Sequence, residues 1–317
     1  KTRMHRHKKS KIFTRKDLVF SMSALFFCLV FLVYPSVRAE SRLRLLASVT
    51  DPTISFPVMD LVAQSAIVYD LTSGKVLYEK NSEVALPLAS LTKIMTAVSA
   101  LEAVPEDTPI TIGEGDLSPE GDSGLYANEK WRLKDLLGLI LIQSSNDGAF
   151  AVASSVGKIE GGVEESEIGR EIFRDLMNRV AKNIGLSQSY FMNSTGLDVS
   201  LGIAGAYGSA KDMAKLMGYA VAKYPEVFSD TKYSTLKYHS LSNLAHEAVN
   251  TNLGLDNIPM IMASKTGFTD LAGGNLVIVF DAGINQPIAV VVLHSTEDGR
   301  FTDTEKLVWA SLDAIAG

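Results

Sequence analysis

The sequence predicts an α+β domain: an antiparallel sheet with helices on both faces, beside an all-helical subdomain. Two observations predict it. Runs rich in β-branched and aromatic residues lie at both ends of the folded region, around residues 65–78 and again at 260–294. Between them stand segments whose apolar residues recur at helical spacing. Strands this far apart in the chain make one sheet only if the ends meet, and the helices between them then form a second lobe. A groove between the lobes is the natural place for a site.

The elements follow in order. Ser65–Asp70 and Lys75–Tyr78 flank Leu71-Thr72-Ser73-Gly74 and read as a hairpin. Leu91, Ile94, Met95, Val98 and Leu101 mark a helix, with Pro87 just ahead of its start, where proline is tolerated. Trp131–Ile142 and Asp147–Val156 read as two apolar helices, and the Gly- and Glu-rich stretch from Gly157 to Gly169 as an exposed loop. Glu171–Ile184 is an amphipathic helix closed by Gly185, and Ser209–Lys223 is another, ending before Pro225. Met260–Thr266, Asn275–Asp281 and Pro287–His294 are strands, and Phe301–Ala316 is a final helix.

The region before residue 58 has a different character. Residues 1–17 carry eight Lys/Arg and one Asp, a net of +7 in a chain whose formal charge is −6, so the remainder carries −13. An acidic body gives no support for nucleic-acid binding. Residues 18–37 contain no charged side chain and are long enough to span a bilayer, with the basic head on the cytoplasmic side. They read as an uncleaved anchor, with a signal peptide cleaved after Ala39 as the alternative. Residues 38–57, with Pro52 and Pro57, read as a linker, and residues 58–317 as the globular domain facing the periplasm or cell exterior. The single cysteine, Cys28, falls in the apolar run, which leaves the exported part with neither disulfide nor thiol nucleophile.

Three short strings in that domain carry chemistry. Ser90-Leu91-Thr92-Lys93 puts a hydroxyl and an ammonium on one helical face. A serine hydroxyl attacks only when a neighbour takes its proton. A lysine can take it only if burial or a second cation lowers its pKa, and Lys265 is a candidate for that cation. The pattern alone is weak, because Ser155, Ser229 and Ser234 also begin Ser-x-x-Lys strings. Ser90 differs in opening an apolar helix, where an unemployed lysine is costly. Ser144-Ser145-Asn146 falls in the break between two helices; it reads either as a helix cap, Ser145 being the pure cap, or as groove-lining donors, with Ser144 relaying a proton and Asn146 binding a substrate amide or holding Lys93. Lys265-Thr266-Gly267 ends a strand before a turn-rich stretch. A lysine and a hydroxyl there suit a carboxylate, and the glycine admits a ligand backbone. Histidines in the body, His239, His246 and His294, have no metal-ligand spacing, and neither a G-x-S-x-G elbow nor a phosphate-binding glycine loop is present.

In that order the strings resemble those of the serine-type D-alanyl-D-alanine carboxypeptidases, the low-molecular-mass penicillin-binding proteins of peptidase family S11. The resemblance rests on Ala89-Ser90-Leu91-Thr92-Lys93-Ile94-Met95-Thr96-Ala97, Gln143-Ser144-Ser145-Asn146-Asp147 and Ser264-Lys265-Thr266-Gly267-Phe268-Thr269. Asn193-Ser194-Thr195-Gly196-Leu197 and Asn250-Thr251-Asn252 support it, over about residues 58–317. It implies a β-lactamase/transpeptidase-like fold, with Ser90 acylated, Lys93 its base and Ser144 passing a proton to the departing D-alanine. Asn146 would line the groove, and Lys265 and Thr266 would hold the substrate carboxylate. The N–H groups of Ser90 and Phe268 would form the oxyanion hole. It further implies a peptidoglycan stem peptide as substrate, β-lactams as inhibitors, no metal or cofactor, and a cytoplasmic membrane tether through residues 18–37. Many relatives carry a C-terminal β-domain and amphipathic tail, which this chain is expected to lack. Met262-Ala263 stands where relatives often have a glycine. A DD-endopeptidase and a non-turnover penicillin binder are alternatives. A class A β-lactamase is disfavoured, since no Glu-x-x-Leu-Asn string is present and the middle motif is Ser-Ser-Asn.

Overall fold

Continuous apolar runs, whose successive side chains turn to opposite faces, build the central sheet. The structure is a computed structural model that describes residues 56–283 and 285–316, which belong to one compact unit, Ile54–Gly317. In chain order the strands are β1 (Ser65–Asp70), β2 (Val76–Lys80), β3 (Leu86–Pro87), β4 (Pro109–Thr111), β5 (Lys130–Arg132), β6 (Tyr190–Phe191), β7 (Ala206–Gly208), β8 (Thr235–His239), β9 (Ala245–Val249), β10 (Ile261–Thr269), β11 (Gly273–Asp281) and β12 (Pro287–Ser295). The helices are α1 (Thr92–Ala103), α2 (Leu133–Gln143), α3 (Asn146–Gly161), α4 (Ser166–Asn183), α5 (Ala210–Lys223), the single turn α6 (Pro225–Phe228) and α7 (Gly299–Ala316).

The main sheet has the order β10-β11-β12-β1-β2, antiparallel throughout. The N-terminal hairpin thus joins the three C-terminal strands, as the separated β-runs require. Leu276, Ile278 and Phe280 of β11 and Ile288, Val290 and Val292 of β12 fill one face, against Leu307 and Val308 of α7. Val277, Val279, Ala289, Val291 and Leu293 point to the other face, into the large core shared with α1, α2, α3 and α5. With both faces apolar and period 2, a one-residue slip would exchange the two sets, which fixes the register. The expected architecture is borne out: a sheet with helices on both faces and a helical layer beside it.

Some boundaries differ. Trp131 belongs to β5, not to the helix that follows: its residue pairs with Ile110, and its ring lies 4.9 Å from that of His246. Pro87 sits in β3, paired with Tyr207, and the chain passes through a 3-10 turn, Ala89–Leu91, before α1 begins. The largest correction is the expected loop from Gly157 to Gly169. Helix α3 runs on to Gly161, α4 starts at Ser166, and only residues 162–165 connect them. The glycines there serve packing: a β-carbon on Gly157 would collide with the carbonyl of Gly169, so the two helices cross backbone to backbone. Here glycine marks a close contact between helices and not a break. The β8–β9 hairpin was not foreseen. Its outer positions, Lys237 and Glu247 among them, are exposed, while Leu236, Tyr238, His246 and Ala248 alternate inward.

Ala263 is fully buried and Met262 packs at the edge of the main core. The basic head, the 18–37 apolar segment and the linker up to residue 55 lie outside the described residues. Among the described residues, no helix is long and apolar enough to cross a membrane.

Candidate active site

Ser90 is held by a strained turn. Asn275 of β11 donates through Nδ2 to the Pro87 carbonyl at 2.9 Å, tying the approach to the main sheet. Ala89 then takes a left-handed conformation (φ 48), one that a residue with a β-carbon seldom adopts without support. The support includes Thr92, whose hydroxyl donates to the Ala89 carbonyl at 2.7 Å. This kink leaves Ser90 half-buried at the groove while its neighbours Ala89 and Leu91 are buried.

Lys93 lies one turn on and is fully buried. Its Nζ has three oxygen neighbours: Ser90 Oγ at 2.9 Å, Asn146 Oδ1 at 2.7 Å and the Thr195 carbonyl at 2.8 Å. Asn146 Nδ2 donates to the Glu120 carbonyl at 2.6 Å, which turns the amide so that its oxygen faces the lysine. Burial, and secondarily the charge of Lys265, push the Lys93 pKa well below the ordinary lysine value. As a neutral amine Lys93 has two N–H bonds and one lone pair. The Thr195 carbonyl and Asn146 Oδ1 can only accept, so they take the two N–H bonds. The lone pair is then left facing the one neighbour able to donate, the Ser90 hydroxyl.

Ser144 closes α2 in the left-handed conformation (φ 64, ψ 34), and Ser145 caps α3 by accepting from Gly148 N at 2.9 Å. The cap reading therefore holds for Ser145, while Ser144 is left free to face the groove. Lys265 of β10 donates to Ser144 Oγ at 2.9 Å and to the Thr266 carbonyl at 2.8 Å. Its side chain is 99% buried, and burial together with the nearby Arg300 guanidinium lowers its pKa to about 7. The Thr266 hydroxyl lies 2.5 Å from that of Thr251.

Gly267 is required by the protein's own packing. A β-carbon there would sit 2.9 Å from the Leu88 carbonyl and 3.1 Å from the Ser90 nitrogen, so it is the protein's own serine turn that approaches so closely. Phe268 follows, half-exposed at the mouth of a cavity of ≈ 450 Å³ whose lining includes Glu120, Asp198 and Asp270. All eight residues singled out in the sequence thus fall on one groove or its rim. Three partners were not foreseen as such. The Thr195 carbonyl anchors Lys93, Thr251 meets Thr266, and Arg300 of α7 donates to the Gly267 carbonyl at 3.0 Å. Arg300 had a signal in the sequence, an arginine on the helix face that Thr304, Leu307, Val308 and Ser311 bury. Among the described residues no group of three or more His, Cys, Asp or Glu is placed to hold a metal.

A buried lysine in contact with a serine, a second lysine bonded to a second serine, and a glycine strand edge against the serine's backbone are the parts that serine acyl transfer calls for. Comparison with known proteins makes this specific. The model of peptidase family S11, D-alanyl-D-alanine carboxypeptidase, matches residues 50–297, and the chain belongs to that family. It is 32% identical to D-alanyl-D-alanine carboxypeptidase DacC of Escherichia coli (strain K12), over 83% of this chain and 64% of that protein. It is 33% identical to DacF of Bacillus subtilis (strain 168), over 78% and 61%. The chain thus spans somewhat under two thirds of the length of these relatives. Among solved structures, penicillin-binding protein D2 of Listeria monocytogenes, in its cefotaxime-bound form, superposes with a TM-score of 0.66 at 30% identity, covering 80% of this chain and 98% of that one.

Proposed function

We propose that the protein is a serine D-alanyl-D-alanine carboxypeptidase that removes the terminal D-alanine of peptidoglycan stem peptides through an acyl-enzyme on Ser90. The observation that carries this reading is the saturation of Lys93, whose two obligate acceptors direct its lone pair at the Ser90 hydroxyl. In the first step Lys93 accepts the Ser90 proton as Oγ attacks the penultimate carbonyl. The oxyanion is met by the N–H groups of Ser90 and Phe268. The proton that Lys93 took from Ser90 reaches the nitrogen of the departing D-alanine through Ser144, which is bonded to Lys265 and gives up one proton as it takes back another, and Lys265 with Thr266 holds the D-alanine carboxylate. Asn146 lines the groove and holds Lys93. Water then attacks the acyl-enzyme and frees Ser90. A β-lactam, whose ring amide and carboxylate mimic the same group, would acylate Ser90 and leave slowly. The cefotaxime complex of the Listeria relative supports that expectation.

The test is release of free D-alanine from an N-acylated peptide ending in D-Ala-D-Ala. Wild-type protein should release it catalytically and Ser90→Ala should not. Stoichiometric penicillin binding without any D-alanine release would instead favour a non-turnover binder.

A further inference from the structure

Arg300 is 93% buried near the N-terminus of α7, and the reaction scheme above gives it no task. Its Nη1 donates to the Gly267 carbonyl, its guanidinium lies 4.7 Å from the Phe301 ring centroid, and Glu297 stands 4.0 Å from Nη2. Nε has no hydrogen-bond partner. Glu297 is itself well exposed and too distant for a firm ion pair, so the arginine is poorly compensated where it lies. Its charge also acts on Lys265. A cation held at such a cost beside another cation calls for a purpose.

The geometry of β10 supplies one. The carbonyl of Gly267 and the N–H of Phe268 belong to a single planar peptide group, in which the two point in opposite directions. Along a strand, alternate residues turn their N–H and C=O groups to the same edge. The Thr266 carbonyl lies on the edge reached by Lys265, beside Ser144. The Phe268 N–H therefore emerges on that edge too, toward Ser90, whose own nitrogen lies close against Gly267. The Gly267 carbonyl faces away, toward Arg300.

We propose that Arg300 is a positioning residue for the oxyanion hole: by clamping the Gly267 carbonyl it fixes the peptide plane that presents the Phe268 N–H to the reacting carbonyl. Gly267 is paired with Asn275 in the β10–β11 ladder, and the Arg300 bond adds a second restraint at the one residue of this stretch whose backbone no side chain restricts. A charge-assisted bond to the carbonyl also polarises the peptide and strengthens the N–H as a donor. The proposal rests on the acyl-enzyme reading above.

The test separates orientation of the hole from recognition of the carboxylate. An N-acyl peptide boronic acid ending in the boron analogue of D-alanine forms a tetrahedral adduct with the serine and has no terminal carboxylate. In Arg300→Met its affinity should fall by about 10²-fold, the scale of a misplaced or lost oxyanion donor. Acylation by benzylpenicillin should show the loss in k2, with the dissociation constant of the preceding complex little changed. Arg300→Lys, which keeps a charged donor, should recover part of k2. If Arg300→Met does not fold, Arg300→Gln, whose head group ends two bonds short of the guanidinium nitrogens, carries the same expectation. Unchanged boronate affinity in the folded variant, with losses confined to carboxylate-bearing ligands, would overturn the proposal. A wild-type enzyme that binds no boronate would overturn the acyl-enzyme reading itself, and the proposal with it.

Discussion

Lys93→Arg should abolish acylation by penicillin, lowering the second-order rate constant by about 10⁴-fold, the upper range of what a positioned general base contributes. The substitution replaces an amine that the site favours in its neutral form with a guanidinium that stays protonated at any accessible pH, and so can take no proton from Ser90. Lys93 is wholly buried, its Nζ fixed by Asn146 and Thr195, so Lys93→Met, close in volume and uncharged, is the companion variant in case the larger head group is not accommodated. Lys93→Arg fixes a charge in a buried site beside Lys265 and should cost stability, whereas Lys93→Met leaves only Asn146 Oδ1 and the Thr195 carbonyl without that donor; each folded variant should be inert. Stopped-flow acylation kinetics measure this directly. A variant retaining a tenth of the wild-type rate would show that something other than Lys93 takes the serine proton.

Acylation should also depend on pH as a bell. Protonated Lys93 has no lone pair for Ser90, so k2/K rises as pH climbs through its pKa, which burial and then Lys265 hold well below the ordinary lysine value. In the proposed scheme Lys265 holds the ligand carboxylate and must stay charged to do so. Burial and then Arg300 bring its pKa to about 7, so in the free enzyme the descending limb begins near there. Lys265→Arg should move that limb beyond the measurable range and leave the ascending limb in place. An unmoved descending limb would assign it to another group. The same shifts give a sign for stability. Between the folded pKa and the ordinary value near 10.5, the unfolded chain binds protons that the folded chain has shed. The fold therefore gains stability as pH rises from about 7 through that window.

Much of this site was legible in the sequence because its parts are local. Ser90 and Lys93 are three apart on one helix, and Ser144 and Asn146 flank one helix break. What was hidden is long-range. That Thr195, 102 residues away, would supply the third contact of Lys93 follows only from where the Ser194–Gly196 turn packs. That Gly267 makes room for the Ser90 turn depends on how β10 lies against that turn. Arg300 stood on a buried helix face, a visible anomaly, but its partner is a backbone carbonyl that no side-chain pattern reports. The sheet was legible because both of its faces are apolar and β-branched. The β8–β9 hairpin was not, since its exposed positions include Lys237, Ala245 and Glu247, residues that strands disfavour. The crossing of α3 and α4 was misread because glycine marks either a break or a close contact, and only the packed pair Gly157 and Gly169 decides between them.

The central claim is that Ser90 becomes covalently acylated. Intact-mass measurement after incubation with benzylpenicillin, followed by peptide mapping, tests it most directly. The account predicts one adduct of the full mass of the antibiotic, carried by the peptide that contains Ser90, present in wild type and absent from Ser90→Ala. An unmodified wild-type mass, or an adduct on any other residue, would contradict it.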